Sequence, residues 1–306
     1  MRTAIITHPL CRRHKMIAEH PECPERLDAI SDRLLASGLD LMLIHKSSPK
    51  ASDDDIALVH TRAMIAKVHA AIPSEGLTSL DGDTWLCPDS YKAIERAVGA
   101  GLMAVDDVLA GEYDAAFCAV RPPGHHANQH TSSGFCVYNN LAIAVRYAQQ
   151  KGVKRIAILD IDVHHGNGTQ DIFMDDENIL FCSLFQYPFY PHCEVVNNDH
   201  IVNSPLAINS NGQDLRGVFE QYWLPKLQAQ QPELIFISAG FDAHLEDDMA
   251  SLALVEADYA WFTEQVVAVA EQCHSKGIIS FLEGGYELSS LGRSVAAHLR
   301  ALLGSE

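Results

Sequence analysis

The chain has 306 residues, of which 47% are hydrophobic and 20% are charged, and this balance excludes an intrinsically disordered protein. Asp and Glu number 40 against 22 Lys and Arg, so the net charge is −18, whereas a nucleic-acid-binding surface needs clustered positive charge. No apolar run reaches the ~18 residues of a membrane span, and the first apolar stretch is too short for a secretory signal. We therefore predict a cytoplasmic protein that binds neither nucleic acid nor membranes.

Short strand-like and longer helix-like segments alternate along the whole chain. Continuous apolar runs predict six β-strands, at residues 3–7, 114–120, 155–160, 178–184, 233–239 and 277–282. Apolar residues at helical spacing predict helices near residues 24–37, 61–72, 89–110, 139–151, 212–230, 255–275 and 288–303. Because continuous apolar strands between helices are typical of a parallel sheet covered on both faces, we predict a single α/β domain over residues 1–306.

The histidines of this chain are more informative than its cysteines. The eight cysteines are scattered without a C-x-x-C pair, which argues against a disulfide framework and against a cysteine zinc site. Sixteen histidines are present, and four of them form the adjacent pairs His125-His126 and His164-His165.

Residues that can carry chemistry follow four of the predicted strands. They occupy residues 121–126, 160–166, 240–244 and 283–286. Ligands of open parallel sheets bind beyond the carboxyl ends of the strands. The sequence therefore predicts the functional site at that edge of the sheet.

The residues after the third predicted strand have the pattern of a metal site. Asp160, Asp162 and His164 alternate, so at strand spacing their side chains point to one side, and Asp242 follows another strand. Two carboxylates and one histidine leave a position open for water, as in a catalytic zinc site. The alternative is a strand end held by ion pairs or hydrogen bonds.

The remaining strand ends offer groups for acid–base work. His125 and His126 follow Pro-Pro-Gly, a rigid turn, and paired histidines suit proton transfer beside a metal-bound water. Tyr286 follows Gly284 and Gly285, where the backbone can approach a ligand closely. The Tyr286 hydroxyl is a candidate donor to an oxyanion, and the alternative is a tyrosine at the rim of the core.

Taken together, these motifs resemble the zinc-dependent histone deacetylase and acetylpolyamine amidohydrolase family, which has an arginase-like fold. The matching stretches are HPECPER (20–26), RPPGHHA (121–127), GFCVYNNLAIA (134–144), LDIDVHHGNGTQDIF (159–173), SAGFDAH (238–244) and LEGGYEL (282–288). They span nearly the whole chain in the order that the family has them, and their residues most resemble those of the class II branch and its bacterial relatives.

The resemblance implies a role for each residue of the site. The implied zinc ligands are Asp162, His164 and Asp242. His126 would be the general base and then the general acid, and His125 its electrostatic partner, oriented by Asp160. Asn167 stands where class I relatives place an Asp, which implies a less basic His126. Tyr286 would be the transition-state donor.

The resemblance also implies substrate and potassium sites. The implied substrate-binding residues are Gly134, Phe135 and Tyr190 in the acyl-lysine tunnel, Arg26 at the cavity that receives acetate, Met249 at the rim, and Gly284. A potassium ion under the zinc would be held by the side chains of Asp160 and Ser183 and by the backbone carbonyls of Asp162, His164 and Leu184. A second potassium site would use main-chain oxygens near Phe173, Asp176, Ile179 and His200.

The leading hypothesis is zinc-dependent hydrolysis of N-acyl amines, most simply N-acetyl-lysine in proteins or peptides. In the polyamine-specific eukaryotic branch a glutamate meets the distal ammonium, and ungapped counting puts Met249 there. Glu246, Asp247 and Asp248 of the same loop either face water or, if the loop folds inward, attract a polyamine. The alternatives are an acetylpolyamine amidohydrolase, whose tunnel can be shaped by dimerisation, a two-metal ureohydrolase of arginase type, and a non-catalytic acyl-lysine-binding module. The acyl group and the choice of zinc or iron stay open.

Overall fold

The computed structural model describes residues 1–304, so the last two residues of the predicted domain lie outside the described residues. Its strands are β1 Thr3–Thr7, β2 Ile44–Ser47, β3 Thr78–Ser79, β4 Trp85–Leu86, β5 Ala115–Cys118, β6 Ile156–Asp160, β7 Ile179–Gln186, β8 Ile201–Leu206, β9 Leu234–Ala239 and β10 Ile278–Leu282. Eight strands form one parallel sheet in the order β2-β1-β5-β10-β9-β6-β7-β8, and β3 and β4 form a small antiparallel hairpin.

The helices follow the strands in alternation. They are α1 Glu25–Ser37, α2 Asp53–Ile56, α3 Arg62–Ala71, α4 Ser90–Leu109, α5 Asn140–Gln150, α6 Asn167–Phe173, α7 Gly212–Val218, α8 Leu224–Gln230, α9 Glu256–Gln272 and α10 Leu288–Leu303. Two 3-10 helices span Pro9–Arg13 and Leu39–Met42. The predicted helix at 212–230 is interrupted, because the π-helical turn Phe219–Trp223 separates α7 from α8.

Neighbouring residues of β10 show that helices cover both faces of the sheet. Ser280 accepts or donates a hydrogen bond at 3.0 Å with the ring of His298 on α10. Phe281, the next residue, packs so closely on α4 that a side chain at Gly101 would overlap its ring. Successive residues of a strand point to opposite faces, so α10 and α4 lie on opposite sides. The predicted α/β class with a covered parallel sheet is confirmed.

The six predicted strands are present, each within two residues of its predicted bounds, and the two edge strands of the sheet were missed. Every residue of β5, β6, β9 and β10 is buried, which is why their sequences are continuously apolar. In β2, partly and fully exposed residues alternate, and β8 contains the exposed Pro205. An edge strand is wetted on one side and tolerates such residues, so no apolar run marks it.

Three buried histidines stay uncharged in the folded protein. Burial lowers the pKa of His14 and of His60 to about 4, and that of His298 to about 3. The His298 ring lies between two neutral hydroxyls, those of Thr263 and Ser280, at 2.7 and 3.0 Å. Folding therefore places these imidazoles where the charged, doubly protonated form is disfavoured.

We expect His14, His60 and His298 to lower the stability of the protein as the pH falls from 6.5 to 4. An unfolded histidine binds its proton near pH 6.5, whereas these three rings bind theirs only near pH 4 or below, so acid favours the unfolded chain. The measurement is the Tm by calorimetry across this range for the parent and for His298→Gln, which should show a shallower fall. An identical pH slope in the two proteins would contradict the assignment of His298.

Candidate active site

The four strand ends singled out by the sequence are adjacent in the sheet. β5, β10, β9 and β6 are consecutive neighbours, and because they are parallel, their carboxyl ends meet at one edge. The segments that follow them carry His125 and His126, Tyr286, Asp242, and Asp162 with His164. The histidines and aspartates of this group are at most 6% exposed. The fold therefore gathers one buried polar cluster from four neighbouring strands.

Asp162, His164 and Asp242 lie together as a candidate metal centre. One ligand atom from each lies within 4.8 Å of the others. His164 Nδ1 is 3.0 Å from Asp162 Oδ1 and 3.1 Å from Asp242 Oδ2. The expectation that Asp162 and His164 alternate on a strand is wrong, because β6 ends at Asp160. They converge instead through a turn in which the His164 N–H donates to Asp162 Oδ1 at 2.9 Å.

The electrostatics of this trio favour a cation. Burial raises the pKa of Asp242 to about 7, and the charge of Asp162 adds to that rise. Burial lowers the pKa of His164, but its hydrogen bonds with Asp162 and Asp242 outweigh burial and raise it to about 10. Two buried carboxylates therefore hold a positive charge between them. Two oxygen donors and one nitrogen donor are a set that fits zinc with a position left open.

Two glycines allow the carboxylates to approach each other. A Cβ at Gly240 would overlap Asp162, and a Cβ at Gly284 would overlap Asp242. The Gly284 N–H also donates to Asp162 Oδ2 at 2.8 Å. The structure places Gly284 against the carboxylates of the metal centre, and its expected contact with substrate stays a prediction.

His125 and His126 differ in charge although they are adjacent. His125 Nδ1 lies 3.0 Å from Asp160 Oδ2, and although burial lowers its pKa, Asp162 and Asp160 together raise it well above the usual value. His126 Nδ1 lies 2.7 Å from Asn167 Oδ1, and burial together with the charge of His125 lowers its pKa well below the usual value. Groups whose pKa values are pushed apart suit separate acid–base roles.

A buried glutamate, which the sequence places at a strand end without a predicted role, holds the histidine turn. Glu283 Oε2 accepts the N–H groups of Gly124 at 2.7 Å and of His125 at 3.1 Å. Burial raises the pKa of Glu283 to about 7. Its signal was available as the acid that directly follows the last apolar strand, within LEGGYEL.

A narrow pocket of about 210 Å³ leads to the metal centre. Its lining consists of Asp83, His126, Gly134, Phe135, His164, Phe189, Tyr190, Met249 and Tyr286. The predicted tunnel and rim residues Gly134, Phe135, Tyr190 and Met249 are therefore brought together. Asp83 and Phe189 were missed, and Phe189 stacks on the His164 ring with centroids 5.5 Å apart.

Tyr286 lies in the pocket wall, and Arg26 lies beneath its ring. The Arg26 guanidinium carbon is 4.9 Å from the centre of the Tyr286 ring. Arg26 is fully buried and donates to the backbone carbonyls of Gly285 and Glu283 at 2.6 and 2.5 Å. It is absent from the pocket lining, so its contact with acetate stays a prediction.

The residues expected to hold potassium fit a hard cation at one position. Asp160 is in register with Ser183 of β7 on one side and with Ser238 of β9 on the other. Both serine hydroxyls are buried and have no hydrogen-bond partner among the described residues. Ser238 was missed by the sequence analysis. At the second position, the carbonyls of Phe173, Asp176 and His200 accept backbone hydrogen bonds, and that site stays a prediction.

Comparison with known proteins decides the family. Residues 20–302 match the family model of the histone deacetylase domain. The chain belongs to the histone deacetylase family. The crystal structure of the HDA15 HD domain has a TM-score of 0.94 and 31% identity, covering 99% of this chain and 88% of that one. The predicted family and the arginase/deacetylase-like fold are confirmed.

Two curated relatives show the breadth of the histone deacetylase family around this chain. Histone deacetylase 10, chloroplastic, of Oryza sativa subsp. japonica is 37% identical over 93% of this chain and 70% of that protein. Polyamine deacetylase HDAC10 of Homo sapiens is 34% identical over 99% of this chain and 48% of that protein, so the chain spans about half of the human protein.

Membership of the histone deacetylase family makes this chain a deacetylase, and hence a hydrolase. The non-catalytic reading gains no support, since His125, His126 and Tyr286 are present and placed at the site. Across residues 1–304, no helix has both the length and the apolar character needed to cross a bilayer. The predicted cytoplasmic location stays a prediction.

Proposed function

We propose that the protein hydrolyses N-acetyl-lysine in proteins or peptides, with zinc held by Asp162, His164 and Asp242. The observation that carries the proposal is the narrow pocket, which has His164, His126 and Tyr286 in its lining. A bound acetyl-lysine side chain would be enclosed by Phe135 and Tyr190 along its alkyl part. Its amide would then reach the one buried polar cluster that can act on it.

The chemistry would be divided among the residues of the cluster. Zinc, when bound there, polarises a carbonyl group and lowers the pKa of a coordinated water. His126 is neutral, and its Nδ1 faces the side-chain amide oxygen Oδ1 of Asn167. Because that oxygen can only accept a hydrogen bond, Nδ1 carries the proton and Nε2 can accept one. His126 would take a proton from the attacking water and then give it to the leaving amine.

Two further residues would stabilise negative charge as the reaction proceeds. His125, charged beside Asp160 and Asp162, lies with its ring centre 4.0 Å from that of His126. Burial raises the pKa of the Tyr286 hydroxyl well above its usual value, so the hydroxyl keeps its proton. Tyr286 would donate a hydrogen bond to the amide oxygen as that oxygen gains charge.

A potassium ion below this cluster is part of the proposal. The support is the pair of unpartnered serine hydroxyls, Ser183 and Ser238, on either side of Asp160. Oxygen ligands are what a hard cation prefers. Metal analysis of the purified protein would test both ions and would distinguish zinc from iron.

Acetylpolyamine hydrolysis is the second candidate, and of the pocket residues Met249 argues against it while Asp83 favours it. Met249 gives the lining an apolar, adaptable side chain with no charge for a distal ammonium, which favours acetyl-lysine. Asp83, however, is an exposed acid in the same lining, and it could attract a cation. One relative, the human protein named above, is called a polyamine deacetylase.

We expect kcat/KM for an acetyl-lysine peptide to exceed that for acetylputrescine or acetylspermidine. Met249→Glu should lower this ratio about fivefold, because a partly exposed ion pair contributes up to about 1 kcal/mol. Met249→Gln, which has a similar size and no charge, is the matched control and should leave the ratio within twofold. A ratio below one for the parent protein would instead establish the polyamine reading.

A further inference from the structure

Asp247 is a buried carboxylate that joins two loops of the pocket. Its neighbours Glu246 and Asp248 are exposed, whereas Asp247 is only 4% exposed, so the alternative in which all three acids face water does not hold for Asp247. Its Oδ2 accepts the backbone N–H of Tyr286 at 2.6 Å and that of Glu287 at 3.1 Å. Its Oδ1 accepts the N–H of Met249 at 3.1 Å.

These hydrogen bonds fix the backbone at Tyr286, from which the side chain extends into the pocket. Tyr286 and Glu287 precede α10, and N–H groups at the start of a helix have no partner within the helix. The preceding Gly285 has a φ of +116°, which only glycine adopts readily. The Asp247 carboxylate therefore supplies the acceptor that the N–H groups of Tyr286 and Glu287 would otherwise lack.

The ring of Tyr286 is held separately from its backbone. Arg26 lies under the ring at 4.9 Å, and Phe135 meets its edge with centroids 5.9 Å apart and planes at 88°. These contacts stop the ring from tilting, but they do not fix the position of its Cα. The position of the Tyr286 hydroxyl in the pocket consequently depends on the backbone segment that Asp247 binds.

The Asp247 loop is itself anchored to the helix that follows Tyr286. The Asp247 N–H donates to the carbonyl of His244 at 2.9 Å. Arg293 on α10 donates to Glu246 at 2.6 Å and also pairs with Glu256 at the start of α9. The loop and α10 therefore form one unit, with Asp247 as its internal link to Tyr286.

We propose that Asp247 is a positioning residue for Tyr286, acting on the deacetylase reaction through the backbone of that tyrosine. Asp247 is absent from the pocket lining, so it would act through Tyr286 rather than by contact with substrate. Through Met249 the same carboxylate also sets one wall of the pocket relative to the Tyr286 hydroxyl. The inference rests on the role given to Tyr286 in the proposed function.

The test is a double-mutant cycle between Asp247→Asn and Tyr286→Phe. The asparagine keeps the volume but replaces one accepting oxygen with an NH₂ group, which cannot accept an N–H. We expect Asp247→Asn to lower kcat about tenfold or more, since hydrogen bonds to a charged group are among the strong ones. In the Tyr286→Phe background the same change should lower kcat less than twofold, because no hydroxyl remains to be positioned.

Several readouts separate this inference from its alternatives. A trifluoroacetyl-lysine peptide, whose activated amide hydrolyses more readily, keeps the double variant measurable. An equal loss of kcat in both backgrounds would overturn the positioning role, as would parental activity of Asp247→Asn. Asp248→Asn, the exposed neighbour, is the matched control and should match the parent. Metal content and Tm are measured for every variant, and Asp247→Ser replaces Asp247→Asn in the cycle if the latter does not fold.

The cycle also distinguishes a failure of the inference from a failure of the proposed function. Full activity of Tyr286→Phe alone would refute the role of the tyrosine hydroxyl. An inactive Tyr286→Phe together with a parental Asp247→Asn would leave that role intact and refute only the role of Asp247.

Discussion

Asp242→Ala should lose the bound metal and lower turnover by at least about 10³-fold, since a Lewis-acidic ion contributes several kcal/mol to such a reaction. Asp242 offers one of the three clustered donors, with Oδ2 3.1 Å from His164 Nδ1. The remaining pair, Asp162 and His164, cannot define a site with one open position. Metal content by mass spectrometry and kcat on an acetyl-lysine peptide are the two measurements.

The fold should survive this substitution. Burial and the nearby charge of Asp162 raise the pKa of Asp242 to about 7, so replacing Asp242 removes its repulsion with Asp162. His164 loses one partner but keeps Asp162 Oδ1 at 3.0 Å. Asp242 Oδ1 also accepts the Val163 N–H at 3.0 Å, and Asp242→Asn is the second variant because it can retain this bond. Exposed Asp248→Ala serves as the control. Stoichiometric zinc in Asp242→Ala would refute the ligand set.

Tyr286→Phe should lower kcat about 10²–10³-fold, the usual effect of removing one well-placed donor to an oxyanion. The substitution removes a single hydroxyl, and the contacts of the ring with Arg26 and Phe135 do not involve it. Metal content and Tm are therefore expected to match those of the parent. The measurement is single-turnover hydrolysis of an acetyl-lysine peptide.

Tyr222→Phe provides the comparison, because Tyr222 is 57% exposed and absent from the pocket lining. It should leave kcat unchanged. If Tyr286→Phe also stays within a few-fold of the parent, the hydroxyl takes no part in the reaction, and Tyr286 serves only to close the pocket.

The sequence predicts those parts of the fold whose physical cause is local in the chain. Strands buried on both faces must be apolar throughout, so β6 and β10 were found almost to the residue. β2 and β8 lie at the edges of the sheet, where this requirement is relaxed. The sequence also did not predict the break between α7 and α8, because apolar residues keep a helical spacing through the π-helical turn.

The residues of the site also divide into those that local sequence predicts and those that it does not. His125, His126 and Asp242 lie in the segments that follow apolar strands, so topology alone brings them to one edge. Asp247 could not be distinguished from its exposed neighbours Glu246 and Asp248, because its burial depends on the loop that folds over it. Asp83 comes from the turn between β3 and β4, 43 positions before His126 in the chain, and no local pattern connects the two.

The catalytic groups and one part of the pocket wall come from different parts of the architecture. The clustered acids and histidines leave four adjacent central strands, where glycines pressed against carboxylates leave no room for larger residues. Asp83, Phe189 and Tyr190 stand instead on a hairpin and on the loop between β7 and the edge strand β8. Such a division lets the range of accepted substrates drift through changes in outlying loops while the reaction itself is preserved. An engineer could exchange the segment from 187 to 200 and leave every candidate zinc ligand in place.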